Sequence, residues 1–316
     1  ENLLINQVPY LINKEQFEVK ATYTIIDKEH KIKGGVNIAD ESFDIDFLKN
    51  KAKTNLIANT LGANIKNLLS ITPKRYINSI KKYDINCKAD VQFQLDSDKL
   101  SDGSSISTSF QLNNASIQGD IPIDIKQGSI KGVYSNGKNK DLSTSTIVMS
   151  NISCMANSEK VNGNATLSNF KNLNVKTNLT SKIQLANLRQ YGINYNAEKL
   201  SGLANFNIDY NGKVGLNSKL EYDIAVAKKQ VMLTFENINY QQSSSSPEIK
   251  NGRVELRLSN DLLVIDSLNC SIGEKNKLQY NGAIENVFGH FLLKNATLKI
   301  GGDLYSDWIF IDELLN

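Results

Sequence analysis

The sequence predicts an all-β chain with few short helices: an elongated, curled, mostly antiparallel sheet of repeated strand modules, groove-like or sandwich-like. Three observations carry that prediction. Apolar and polar residues alternate with period two over long stretches, Asn-Gly pairs recur, and strand endings repeat at a long spacing.

The alternation is clear in Ala89, Val91, Phe93 and Leu95, in Ala204, Phe206, Ile208 and Tyr210, in Val231, Leu233 and Phe235, and in Val254, Leu256 and Leu258. Successive side chains of a strand point to opposite faces, so each run gives its strand one apolar face. Leu262, Val264, Leu268, Cys270 and Ile272 are expected to continue the pattern across a polar interruption at Asp266. Asn-Gly pairs at 136, 162, 211, 251 and 281 favour tight primed turns, which predicts a meander of hairpins. Helix is expected mainly over 73–82, PKRYINSIKK, where Thr72 can cap, Pro73 suits the first turn, and Tyr76, Ile77 and Ile80 share a side. A weaker helical turn is expected around 63–70. The polar run QQSSSSPE at 241–248 reads as a loop.

The repeat emerges from strand endings. KTNLIANTLGANIKNLL at 53–69, KTNLTSKIQLANL at 176–188 and GGDLYSDWIFIDELL at 301–315 each run from an alternating strand into a short turn closing on Leu. Their markers Leu56, Leu179 and Leu304 are spaced by 123 and 125 residues. That period is too long for a small solenoid unit and predicts modules of several strands that share edges. The expected division is 1–70, 71–190 with the 73–82 helix, and 191–316, continuous as one extended domain.

Charge and composition exclude other classes. With 36 basic and 33 acidic residues the net charge is +3, too small a field to draw nucleic acid, and Arg occurs only at 75, 189, 253 and 257. Cys87, Cys154 and Cys270 are odd in number and far apart, which fits neither a disulfide framework nor a zinc site. No run of 18 apolar residues occurs. The chain opens at Glu1 without Met, so the expectation is a fragment whose anchor or export signal lies upstream.

No motif reads as catalytic, metal-binding or cofactor-binding. GVYSNGK at 132–138 has the outline of a phosphate loop, but Asn139 stands where the magnesium hydroxyl belongs, so a hairpin turn at Asn136-Gly137 explains it better. Asp96, Asp98 and Asp102 before Gly103 lack calcium-loop spacing and a closing Glu, and read as a solvated turn. His30 and His290 are the only histidines, which leaves little scope for a relay. Asp44 and Asp46 could serve a glycosidase only with a partner carboxylate across a cleft.

Two segments carry a family resemblance. NLLSITPKRYINSIKKYDINCKADVQFQL at 67–95 and the stretch from Pro247 to Leu315, closing on D-W-I-F-I-D-E-L-L, resemble the AsmA-like family of bacterial envelope proteins. The resemblance implies a periplasmic protein, tethered to the inner membrane by a segment missing here. It also implies a relation to bridge-like lipid-transfer proteins and a part in outer-membrane homeostasis, with phospholipid or another acyl-chain lipid as ligand and envelope proteins as possible partners. The Lys-, Asn- and Ile-rich composition suits a bacterium of the Bacteroidetes type. On this reading the residues lining an apolar groove are Leu56, Val91, Phe93, Leu95, Leu179, Phe206, Ile208, Leu233, Phe235, Val254 and Leu256. The same alternation would also build a closed sandwich needing no ligand, as in a structural or adhesin-like module that binds protein or glycan. Sequence alone leaves both open.

Overall fold

The structure is a computed structural model that describes residues 2–6, 10–12, 15–26, 28–71, 83–98, 103–119, 123–191, 195–214, 224, 226–294 and 296–310, with side chains from Glu18 onward, Val19 excepted. The expected helix at 73–82 lies outside these residues. The chain divides into two compact units, Glu1–Met155 with Thr166–Lys171, and Ala156–Ala165 with Asn172–Asn316.

The first unit is an antiparallel meander. Strands β1 (Asn2–Asn6) and β2 (Tyr10–Ile12) both pair with β3 (Glu15–Ile26). There follow β4 (Glu29–Ile38), β5 (Glu41–Lys49), β6 (Lys53–Asn64), β7 (Tyr83–Asp98), β8 (Ser104–Gly119) and β9 (Ile125–Ser135), each antiparallel to the next. Strand β10 (Thr146–Ala156) pairs with β9. A short helix, α1 (Ile65–Ile71), links β6 towards β7, where the weaker helical turn was expected.

The second unit repeats the scheme. It holds β11 (Glu159–Ser168), β12 (Asn174–Gln184), a 3-10 helix (Leu185–Tyr191), β13 (Lys199–Lys213), β14 (Lys228–Gln241), β15 (Ile249–Ser259), β16 (Leu262–Ile272), β17 (Asn276–Glu285), helix α2 (Val287–Phe291) and β18 (Lys299–Tyr305). From β12 to β18 each strand is antiparallel to the next. The loop at 241–248 falls between β14 and β15, closed by Ser243 and Ser246.

The markers Leu56, Leu179 and Leu304 lie on β6, β12 and β18, six strands apart. The first two of these strands end on the same side-chain device. Glu41 Oε1, at the start of β5, accepts from the Asn64 amide at 2.8 Å and from Asn67 Nδ2 at 2.7 Å. Glu159 Oε1, at the start of β11, accepts from the Gln184 amide at 3.2 Å and from Asn187 Nδ2 at 2.9 Å. After β18 a neutral version appears: Asn276, at the start of β17, accepts from the Phe310 amide at 2.7 Å and donates to its carbonyl at 3.3 Å. In each case the penultimate strand satisfies orphan backbone groups where the last strand stops pairing.

Four of the five Asn-Gly pairs do not turn the chain. Asn136-Gly137 does follow β9 into a turn, but those at 162, 211, 251 and 281 lie inside β11, β13, β15 and β17. Their glycines answer close approaches instead. A Cβ on Gly282 would stand 2.3 Å from the Tyr280 hydroxyl and 2.4 Å from the Gly301 carbonyl oxygen, and one on Gly212 would meet Ala227 Cβ at 2.3 Å. Asn251 takes φ 52° at a register shift between Lys250 and Arg253. Asn114 (φ 51°) and Asn237 (φ 53°) sit at comparable shifts in β8 and β14. These are bulges with a left-handed residue, which bend the strand and sharpen its twist.

A further shift, between Ile265 and Leu268, corrects the face expected for β16. Leu263 and Ile265, rather than Leu262 and Val264, pair into the rows that Leu268 continues. The extra residue at Asp266-Ser267 changes the phase of the alternation, because a one-residue slip moves every later side chain to the other face.

Among the described residues, seven of the ten buried apolar ones are alanine, the others being Ile38, Cys87 and Leu185, and the largest side chains below 2% exposure are Asn276 and Ser145. The accessible surface is 19913 Å².

Candidate functional site

The register assembles the expected groove residues into continuous apolar rows across the strands. In the second unit one row runs Leu179, Ile208, Val231, Leu258, Leu263, Ile284, Ile300, from β12 to β18. Beside it Phe206, Leu233, Leu256 and Ile265 align, and then Ala204, Phe235, Val254 and Leu268. All seven residues expected in this unit therefore share one face. In the first unit Ile32, Phe47, Leu56, Leu95 and Ile106 form a row, Ile45, Ala58 and Phe93 the next, and Thr60, Val91 and Phe110 a third. Leu56, Val91, Phe93 and Leu95 are thus neighbours on one face. The Phe110 ring lies over Gly132, where a Cβ would come within 2.2 Å of it.

Every one of the eleven residues is half-buried, none fully. In a packed core such side chains would be almost wholly enclosed. One row crosses seven strands and the two beside it four each, a footprint of about 500 Å² from strand spacing and rise alone. The largest apolar patch on a soluble monomer is typically about 300–600 Å² and is often functional.

The opposite face is polar and carries a depression of about 800 Å³ in the first unit, spanning β5 to β10. Its floor presents the cross-strand row Asp44, Asn59, Gln92 and Ser109, extended by Val133. Asp90 joins it with its carboxylate fixed by the Gly62 amide at 2.7 Å. Asp44 and Asp46 both stand exposed on this face of β5, and only Asp44 lines the depression. Nothing in the alternation had singled out Asn59, Gln92 or Asp90, since polar positions of a strand carry no pattern of their own.

Several titratable groups elsewhere are tied into the scaffold. Burial pushes the Cys87, Cys154 and Cys270 thiols up, so they stay protonated at neutral pH. Burial also lowers Lys229, 5% exposed, whose Nζ donates to the Ile224 carbonyl at 2.8 Å and lies 4.1 Å from the Phe288 ring centroid. Asp141 is held well below the carboxylate range by hydrogen bonds from Ser143 and Lys171, which order the loop after β9. In the phosphate-loop outline, Asn136 bridges back to the Ser104 carbonyl and the Ile106 amide, and turns rather than helix follow. His30 bonds Tyr23 at 2.5 Å and His290 lies 3.1 Å from the Ala296 carbonyl oxygen. Among the described residues no group of three His, Cys, Asp or Glu could hold a metal. No described helix is long and apolar enough to cross a membrane.

No family model, curated protein or solved structure matches the chain.

Proposed function

We propose that this chain is a non-enzymatic envelope protein that binds acyl-chain lipid, such as phospholipid, along the apolar face of its sheet. The observation that carries the reading is the half-burial of all eleven aligned residues from Leu56 to Leu256. An apolar face of this extent lowers its free energy by taking up hydrocarbon, at about 0.8 kcal/mol for each methylene removed from water. Continuous rows without a charged side chain suit a ligand of variable length and little directional chemistry. The AsmA-like resemblance of 67–95 and 247–315 supports the same reading, with a periplasmic location, an inner-membrane tether outside this chain and a part in outer-membrane homeostasis.

The test combines native mass spectrometry with thermal melting. Wild-type protein purified without detergent is expected to carry co-purifying lipid, and Phe93→Asp to lose most of it while melting within a few degrees of wild type. In a closed sandwich the same change would bury an unpaired carboxylate and unfold the unit. Lipid-free wild type together with an unfolded Phe93→Asp would refute the proposal.

A further inference from the structure

The depression on the polar face of the first unit has a chemistry that the lipid reading does not use. We infer that it binds a neutral, extended oligosaccharide laid across the strands.

Asp44, Asn59, Gln92 and Ser109 occupy successive strands at one register level. They therefore offer one hydrogen-bonding side chain about every 4.8 Å, close to the length of one pyranose ring in an extended chain. Amide and carboxylate groups present paired donor and acceptor positions that match adjacent sugar hydroxyls. Asn59 Oδ1 is a buried acceptor with no hydrogen-bond partner, so an incoming hydroxyl that reached it would complete rather than replace a bond. Two further groups are already held in place, Asp90 by the Gly62 amide and Gln111 by Asn113 Oδ1 at 3.0 Å, which reduces the ordering cost of binding. Val133 and Val148, 47% and 49% exposed, supply apolar surface for the C–H side of a ring.

Charge narrows the ligand further. Among the described residues Lys131 is the one cationic side chain lining the depression, against the carboxylates of Asp44 and Asp90. A single excess carboxylate gives little field to attract either a polyanion or a polycation, which favours a neutral chain of hydroxyl groups. Acyl chains find a larger and drier surface on the other side of the same strands. The inference is independent of the lipid proposal, because Gln92 and Phe93 face opposite ways.

Titration calorimetry with cellohexaose, chitohexaose and maltohexaose tests it. At least one is expected to bind saturably with Kd of about 1 mM or tighter, and Gln92→Ala to weaken that binding about fivefold or more. Gln92 is exposed, so its variant should melt with the wild type. Absence of saturable binding by all three sugars, or an affinity untouched by Gln92→Ala, overturns the inference. Binding of hexalysine but of no sugar, lost in Asp44→Asn with Asp90→Asn, also overturns it and reassigns the depression to cationic peptides.

Discussion

Glu41 and Glu159 show how single residues close each run of strands. Both accept one backbone and one Asn side-chain hydrogen bond at the point where the chain leaves the sheet for a helical turn. Two charge-assisted bonds in a half-buried setting place the cost of Glu41→Ala or Glu159→Ala at about 1–2 kcal/mol, with the Gln variants losing less. Urea denaturation of each variant checks this, and an unchanged midpoint for both alanines would show the contacts to be incidental. The device was not legible in the sequence. Its partners are 23 to 28 residues apart, set by the register of intervening strands, whereas recognisable capping signals lie within one turn of the helix they serve. The apolar positions of the same strands were legible, because alternation is a local signal that register preserves.

At the scale of the element, the strands owe their bends to left-handed residues in their interiors. Asn114, Asn237 and Asn251 adopt φ of 51°, 53° and 52°, a region that a β-branched side chain occupies only at a cost of about 1–2 kcal/mol. Asn251→Gly should therefore keep the stability of the wild type, while Asn251→Val should lower it by about that amount. Thermal melting of the pair decides; equal melting points would mean that the bulge is not strained. The same preference explains why the Asn-Gly pairs were misread. Asn and Gly suit a left-handed position in a primed turn and in a bulge alike, and the dipeptide does not say which. Likewise Asp266 was visible as an interruption, but only the register of β15, β16 and β17 reveals the added residue that brings Leu263 and Ile265 onto the apolar face.

Across the whole molecule, the fold class and the strand-ending repeat were legible because both rest on periodicity. The two compact units were not, since their division depends on contacts between distant strands. The apolar face was legible as a set of alternating positions. Its half-burial was not, because an open apolar face and a closed sandwich are written with the same alternation. Strand β7 is the place to measure whether this face meets hydrocarbon, as proposed. A photo-crosslinking amino acid placed in turn at positions 91 to 95, in protein produced in bacterial cells, reports lipid contact residue by residue. Lipid adducts are expected at 91, 93 and 95 and none at 92 and 94, following the period of the strand. Adducts spread evenly over the five positions, or confined to 92 and 94, would contradict it.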